Sequence, residues 1–226
     1  MKKKIFAQIP VRAGSMRVPD KSTRPFAGTT ILDITIQKAL KSKLLNKIFL
    51  NSNCEKAMSI AKKYPAIEIY QRPEKLCQSE VTLDTFTKDF MQKFPADYTV
   101  LVNPISPNLS GEIIDLMIEK SILDKIDSHL TGCKYKLHTF FEGRPLNFNL
   151  DGPIPQTQNI SPVEIVNWGY GVWRNEIFIK NQAAVFSGKV AIYETPALFS
   201  MKISEEEDFF YSEYLYKQIL QNNRHI

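Results

Sequence analysis

The first half of the chain alternates strand and helix signals, and that alternation leaves few folds open. Residues 5–9 form a short apolar run, and after a polar loop over 12–30 residues 31–42 place Ile31, Ile34 and Leu40 at helical spacing. The pattern repeats with strands at 47–51, 67–70 and 98–103 and helices at 54–63 and 81–93. Pro104 and Pro107 break the fourth strand, and Ser110 is placed to cap a helix reaching about residue 122. Strands joined through helices pair in parallel, so the spacing predicts an α/β fold. It is three-layered and Rossmann-like, a mostly parallel sheet with helices on both faces. Ligands of such sheets bind beyond the carboxyl ends of the strands, which points to the loops after Ile9, Asn51, Tyr70 and Val102.

The rhythm changes after residue 123. Strand-like pieces at 129–135, 146–150 and 166–173 flank a Pro/Gly-rich stretch over 143–162. This region reads as antiparallel excursions, with residues 125–165 a small arm for substrate or subunit contacts. An amphipathic helix follows over 205–220. The 226 residues fit a single domain over 1–226.

Composition narrows the function. Hydrophobic residues make up 43% and charged residues 23%, ordinary for a globular protein. The opening Met-Lys-Lys-Lys resembles the start of a secretory leader, but its apolar run stops at Pro10 and is followed by Arg12, too short for a leader core. No run approaches the ~20 apolar residues that span a bilayer, so a cytoplasmic protein with no membrane partner is expected. Cys54, Cys77 and Cys133 are odd in number and widely spaced, which predicts free thiols rather than disulfides or a zinc site. His129, His138 and His225 are too scattered for a metal centre. The net charge of +5 comes from scattered basic residues; that suits a small anionic substrate and argues against nucleic acid.

The loop after the first strand is the most informative segment. Arg12, Arg17 and Lys21 surround Ala13, Gly14 and Ser15 in one turn-rich stretch. Backbone N–H groups in such a loop can cradle phosphate oxygens while the cations neutralise their charge. The spacing is not that of a Walker A loop.

The run Ile9-Pro10-Val11-Arg12-Ala13-Gly14-Ser15-Met16-Arg17-Val18-Pro19-Asp20-Lys21-Ser22 resembles the I-P-A-R-G-G-S-K-x-I-P-x-K-N signature of the cytidylyltransferases that activate sialic, pseudaminic, legionaminic and octulosonic acids. The likeness continues, in order, through four further segments. Arg24-Pro25-Phe26-Ala27-Gly28 is similar to R-P-L-x-G, and Arg72-Pro73-Glu74-Lys75-Leu76 to R-P-x-x-L, with Asp84 on the following helix. Val102-Asn103-Pro104-Ile105-Ser106-Pro107 resembles Q-P-T-S-P, and residues 155–162 resemble R-T-Q-D-L-x-P, with Asn167 placed like the asparagine of an E-N pair.

The resemblance implies a nucleotide-diphospho-sugar transferase-like fold and attack by a sugar-acid hydroxyl on the α-phosphorus of CTP. Arg12 and Lys21 then act in catalysis. Ala13, Gly14, Ser15, Arg17 and Ser22 complete the phosphate loop, and Arg72 to Leu76 hold the base. Asn103, Arg144, Gln156, Gln158 and Asn167 become candidates for the acceptor, and the family habit implies a homodimer built on the arm.

Several positions depart from the pattern. Met16 stands for a lysine, Ser22 for an asparagine, Asn53 for an aspartate, and Gln156 for an arginine. The family's D-x-D-T-x-x-D-L, whose first two aspartates bind Mg²⁺, aligns on Asp208 so that Lys202 and Ser204 occupy the ligand positions. Three readings stay open here. Glu205 and Asp208 supply the Mg²⁺ ligands after a slip in register, Lys202 replaces the metal's charge, or the acids only cap a helix. Trp168, beside Asn167, either packs the strand core or stacks on a base or sugar.

Overall fold

The computed structural model describes residues 2–181 and 184–221. The anticipated alternation is present: β1 (Ile5–Val11), α1 (Ile31–Lys41), β4 (Lys47–Ser52), α2 (Glu55–Ala61), β5 (Ile67–Gln71), α3 (Leu83–Lys93), β6 (Tyr98–Val102) and α4 (Glu112–Leu123). Two short strands, β2 (Pro25–Phe26) and β3 (Thr29–Thr30), form a hairpin inside the first loop. Helix α1 begins where Thr30 accepts from Asp33 N, and α3 where Thr82 accepts from Thr85 N. The cap of α4 is Gly111 rather than Ser110; Ser110 lies one residue earlier, its Oγ 3.3 Å from Glu112 N.

Beyond α4 the sheet continues through β7 (Ser128–Tyr135), β10 (Val163–Arg174) and β11 (Val190–Glu194), with α5 (Asn175–Lys180) between the last two and α6 (Glu206–Gln221) at the end. The seven strands are ordered β11-β7-β10-β6-β1-β4-β5, and all pair in parallel except β10, which runs antiparallel to both neighbours. The segments expected as antiparallel excursions at 129–135 and 166–173 are thus strands of the main sheet. No strand forms at 146–150. The region instead carries a two-residue hairpin, β8 (Phe140–Phe141) with β9 (Arg144–Pro145), because Asn147 ties its side chain to Leu137 O and Ser161 O.

Alternation along the strands divides the core into two layers. Ile5, Ala7 and Ile9 of β1 pack with α1, α2 and α4 on one face. On the other, Phe6, Phe49 and Phe90 form an aromatic cluster with Tyr70 and Phe94, and Trp173 packs with Met91 of α3 and Phe178 of α5. A third cluster joins Val18 and Phe26 of the first loop to Ile203 and Phe209 at α6. The chain leaves β1 toward β4 and β5, then returns to β6 on its other side. That switch opens a crevice at the carboxyl ends of β1 and β6.

Gly132 marks the tightest approach inside the sheet. A Cβ there would lie 2.7 Å from Ile165 O and 2.7 Å from Ile192 Cγ2. Gly132→Ala is therefore expected to cost about 2 kcal/mol, because backbone cannot yield as a side chain can. A lower urea midpoint at unchanged slope is the readout.

Candidate functional site

A cavity of about 450 Å³ occupies that crevice. All four anticipated loops reach it: residues 10–17 and 20–23 at and after the end of β1, Cys54 after β4, Arg72 after β5 and residues 103–105 after β6. Trp168 of β10, together with Lys202 and Ser204, closes the remaining side. Five cations (Arg12, Arg17, Lys21, Arg72 and Lys202) line it against a single carboxylate, Asp20. Leu83, Phe86, Ile105 and Trp168 supply an apolar wall. A site this cationic on one side and apolar on the other suits a ligand with a polyanionic end and a flat or apolar end.

The first loop is pinned at many points. Gly14 takes φ +73°, a left-handed turn that favours glycine. Ala13 N donates to Asn53 Oδ1 at 2.9 Å, and Asn53 donates in turn to Glu74 at 2.9 Å. Asp20 pairs with Lys56 at 2.6 Å, and Arg12 donates to Cys77 O at 3.4 Å. Ser22, buried, accepts from Leu32 N through its carbonyl and so fixes the loop to α1. Asn53, which departs from the family's aspartate, thereby serves as the tie between three loops.

Lys21 and Arg72 are the two cleft cations with strongly lowered pKa values. Lys21 Nζ donates to Ile203 O at 3.1 Å, and burial followed by the nearby Arg17, Lys202 and Arg12 charges lowers its pKa from 10.5 to about 8. An anion brought beside this partly buried lysine would favour its charged form.

Arg72 is held from behind by a buried relay that sequence reasoning missed. Its Nε and NH2 donate to Asn51 Oδ1 and Asn51 O at 2.8 and 2.7 Å. Asn51 donates to Gln8 Oε1, and Gln8 to Thr87 Oγ1, each at 2.8 Å. Burial lowers the Arg72 pKa to about 10, and its guanidinium lies 4.3 Å from the Phe86 ring centroid. The available signal was the polar Gln8 and Asn51 inside otherwise apolar strands.

The other expected residues are distributed unevenly. Ala13, Gly14, Ser15 and Asn103 line the cleft with Arg12, Arg17 and Lys21. Leu76 faces a second, shallower depression beside Asp84 and Lys88; Asp84 itself accepts from Val185 N. Arg144, Gln156 and Gln158 are exposed on the arm and are not among the cleft-lining residues. Asn167 is buried within the sheet, where it accepts from Thr131 Oγ1 and Gly169 N and donates to Thr195 Oγ1. It shapes the bulge of β10 that presents Trp168, whose φ of +61° is unusual for a bulky residue. Trp168 faces the cleft, whereas Tyr170 and Trp173 pack in the core.

Three of the acids at the start of α6 have partners already. Glu205 pairs with Arg17 at 3.1 Å and Glu206 with Arg24 at 2.7 Å. Asp208 Oδ2 accepts from Ser204 N and Glu205 N at 2.8 and 2.9 Å and so satisfies two backbone N–H groups at the helix start. Among the described residues no cluster of three or more His, Cys, Asp or Glu could hold a metal ion. The three cysteines are free. His129 is buried beside Ser121 and Met117 O, His138 contacts Pro155 O on the arm, and His225 lies outside the described residues.

Known proteins resemble this one in sequence and in shape. The CMP-N,N'-diacetyllegionaminic acid synthase of Legionella pneumophila is 31% identical over 121 residues, 51% of this chain and 52% of that protein. The N-acylneuraminate cytidylyltransferase of Streptococcus agalactiae is 22% identical over 212 residues, 90% of this chain and 51% of its own length. The chain thus spans about half the length of the curated relatives it matches. Among solved structures, CMP:2-keto-3-deoxy-manno-octonic acid synthetase complexed with CTP superposes with a TM-score of 0.69 at 12% identity, over 95% of this chain and 99% of that one. The 4-diphosphocytidyl-2C-methyl-D-erythritol synthase of Anaerococcus prevotii gives 0.68 at 15% identity, over 96% and 100%. These likenesses share the three-layer fold. The family model for cytidylyltransferases matches residues 7–136, more than half of the chain, and the chain belongs to that family.

Proposed function

We propose that this protein transfers CMP from CTP to a sugar acid or related anionic acceptor, releasing pyrophosphate. The acceptor hydroxyl oxygen forms a bond to the α-phosphorus, the α–β anhydride bond breaks, and the hydroxyl proton leaves to solvent or a base. The observation that carries this reading is the cationic cleft at the switch point of the sheet, where burial and then the nearby Arg17, Lys202 and Arg12 charges lower the Lys21 pKa to about 8. Positioning and charge neutralisation supply most of the catalysis in such transfers. Arg12, Arg17 and Lys21 meet the phosphates, Arg72 and the apolar wall of Phe86 meet the nucleoside, and Asn103 orients the acceptor. Arg144, Gln156 and Gln158 reach an acceptor only if the arm of the same or a second copy folds over it. Exposed apolar residues there (Leu137, Phe140, Phe141, Leu146) support a homodimer contact built on the part of the arm between β7 and β10, residues 136–162. No helix among the described residues is long and apolar enough to cross a membrane; a CTP-dependent reaction favours the cytoplasm, and surface glycan synthesis is the setting proposed for the product.

The test is pyrophosphate release from CTP in the presence of a panel of nine-carbon and eight-carbon sugar acids. Turnover with CTP and at least one acid, not matched by UTP or ATP, is the expected result. Tight CTP binding without turnover on any acid would favour a regulatory nucleotide-binding relative, a reading supported by Lys202 and Ser204 at the family's metal positions. No binding of CTP would remove the proposal.

A further inference from the structure

The cation set of the cleft does not match the donor set that a divalent metal needs. Magnesium takes oxygen ligands, usually one or two carboxylates beside the substrate phosphates. Asp20, the one carboxylate lining the cleft, is paired with Lys56 at 2.6 Å. Glu205 is paired with Arg17, and Asp208 is taken up by two backbone N–H groups of its own helix start. Neither belongs to the cleft lining. The residues present therefore do not fit a resident Mg²⁺.

What faces the cleft at that place is set by local geometry. Ile203 is buried, packs with Val18 and Phe26, and donates its N–H to Ile105 O at 2.8 Å. Its carbonyl accepts from Lys21 Nζ. In an extended segment neighbouring side chains point the opposite way, so Lys202 and Ser204 are both delivered to the cleft wall. Lys202 is close enough to Lys21 to lower its pKa by charge repulsion. One ammonium and one hydroxyl, Lys202 and Ser204, thus stand beside Lys21 where the family pattern puts two carboxylates and a metal.

Resting on the nucleotide reading above, we propose that Lys202 replaces the divalent cation at the triphosphate, so that this cleft holds CTP without a resident metal ion. The ammonium neutralises phosphate oxygens directly, and Ser204 donates a hydroxyl beside it. Free CTP, with its charge uncovered, is then the preferred form, and chelation by Mg²⁺ brings no gain in binding.

Calorimetric titration with CTP, in EDTA and in excess Mg²⁺, tests this. The wild type is expected to bind with affinities within about threefold of each other in the two buffers. Lys202→Met is expected to lose about tenfold or more in EDTA, the worth of one charge-assisted contact, while Lys202→Arg retains the affinity. The double variant Lys202→Asp with Ser204→Asp is expected to become Mg²⁺-dependent. Lys202 is exposed, so folding of each variant is checked by its thermal midpoint. Wild-type binding that strengthens tenfold or more with Mg²⁺, or a Lys202→Met variant that binds like wild type in EDTA, would overturn the inference and leave the nucleotide reading standing. No CTP binding in either buffer would remove both.

Discussion

Replacing Lys21 with methionine is expected to stabilise the unliganded protein while removing most of its affinity for CTP. The Lys21 pKa falls from 10.5 in the unfolded chain to about 8 in the fold. That difference corresponds to about 3 kcal/mol of unfavourable free energy carried by the charged form at pH 7. The hydrogen bond to Ile203 O offsets roughly 1 kcal/mol of what its removal would gain. A net increase of about 1–2 kcal/mol in the apo protein is therefore expected, measured by urea unfolding at pH 7. Because the folded pKa is lowered, this penalty is fully present below pH 8 and disappears as pH rises toward 10.5, and the variant's advantage disappears with it.

The same shift predicts the pH dependence of binding. Above pH 8 the free protein has lost the Lys21 proton, and CTP must bring it back. Wild-type affinity is expected to fall by up to about tenfold per pH unit above 8, with proton uptake visible in calorimetry across buffers of different ionisation enthalpy. Lys21→Met should bind about 30–100-fold more weakly at pH 7 and take up no proton. A variant that binds CTP as tightly as wild type would place the triphosphate elsewhere.

Arg72→Ala is expected to give the second large effect, this time on stability and binding together. Arg72 is 4% exposed and ends the Thr87–Gln8–Asn51 relay. Truncation leaves Asn51 Oδ1 and the Asn51 carbonyl without their donor and opens a void against Phe86. Losing a buried charged partner and its packing together costs about 2–4 kcal/mol, partly relieved because burial already disfavours the charge. Arg72→Lys is expected to recover little of this, since a single ammonium cannot span both Asn51 oxygens as the guanidinium fork does. Denaturant midpoints and CTP titration measure the two consequences. A fully stable Arg72→Ala protein would show that the relay does not support the cleft.

The legible parts of the site were those written into contiguous sequence. The loop over residues 10–22 sits where strand–loop–helix spacing put it, and Arg12, Arg17 and Lys21 share one cavity. Gln8 and Asn51 went unnoticed because a polar residue in a strand shows its partner only once strands are laid side by side. Gln156 and Gln158 lie in a motif on the arm and Arg144 beside it, and neither a motif nor a neighbouring charge carries information about how that arm is folded over a cleft. The acids at 205–208 were ambiguous for a similar reason. A run of Glu and Asp before a helix serves equally as ligands or as caps, and only the positions of Arg17, Arg24 and the backbone of Ser204 and Glu205 separate the two.

Local pattern by itself determined the α/β class and, to within two residues, the boundaries of the first six principal elements, because apolar periodicity and caps act within a few residues of one another. It also determined that the main cleft lies at the carboxyl ends of the strands. Tertiary structure alone decided that β10 enters antiparallel between β6 and β7 and that its bulge turns Trp168 into the cleft. It alone decided that Ile203, gripped by Ile105 and Lys21, turns Lys202 toward the first loop some 180 residues away in sequence. These outcomes depend on pairings between distant segments, whose register is set by mutual burial and hydrogen bonding rather than by the residues beside them in the chain.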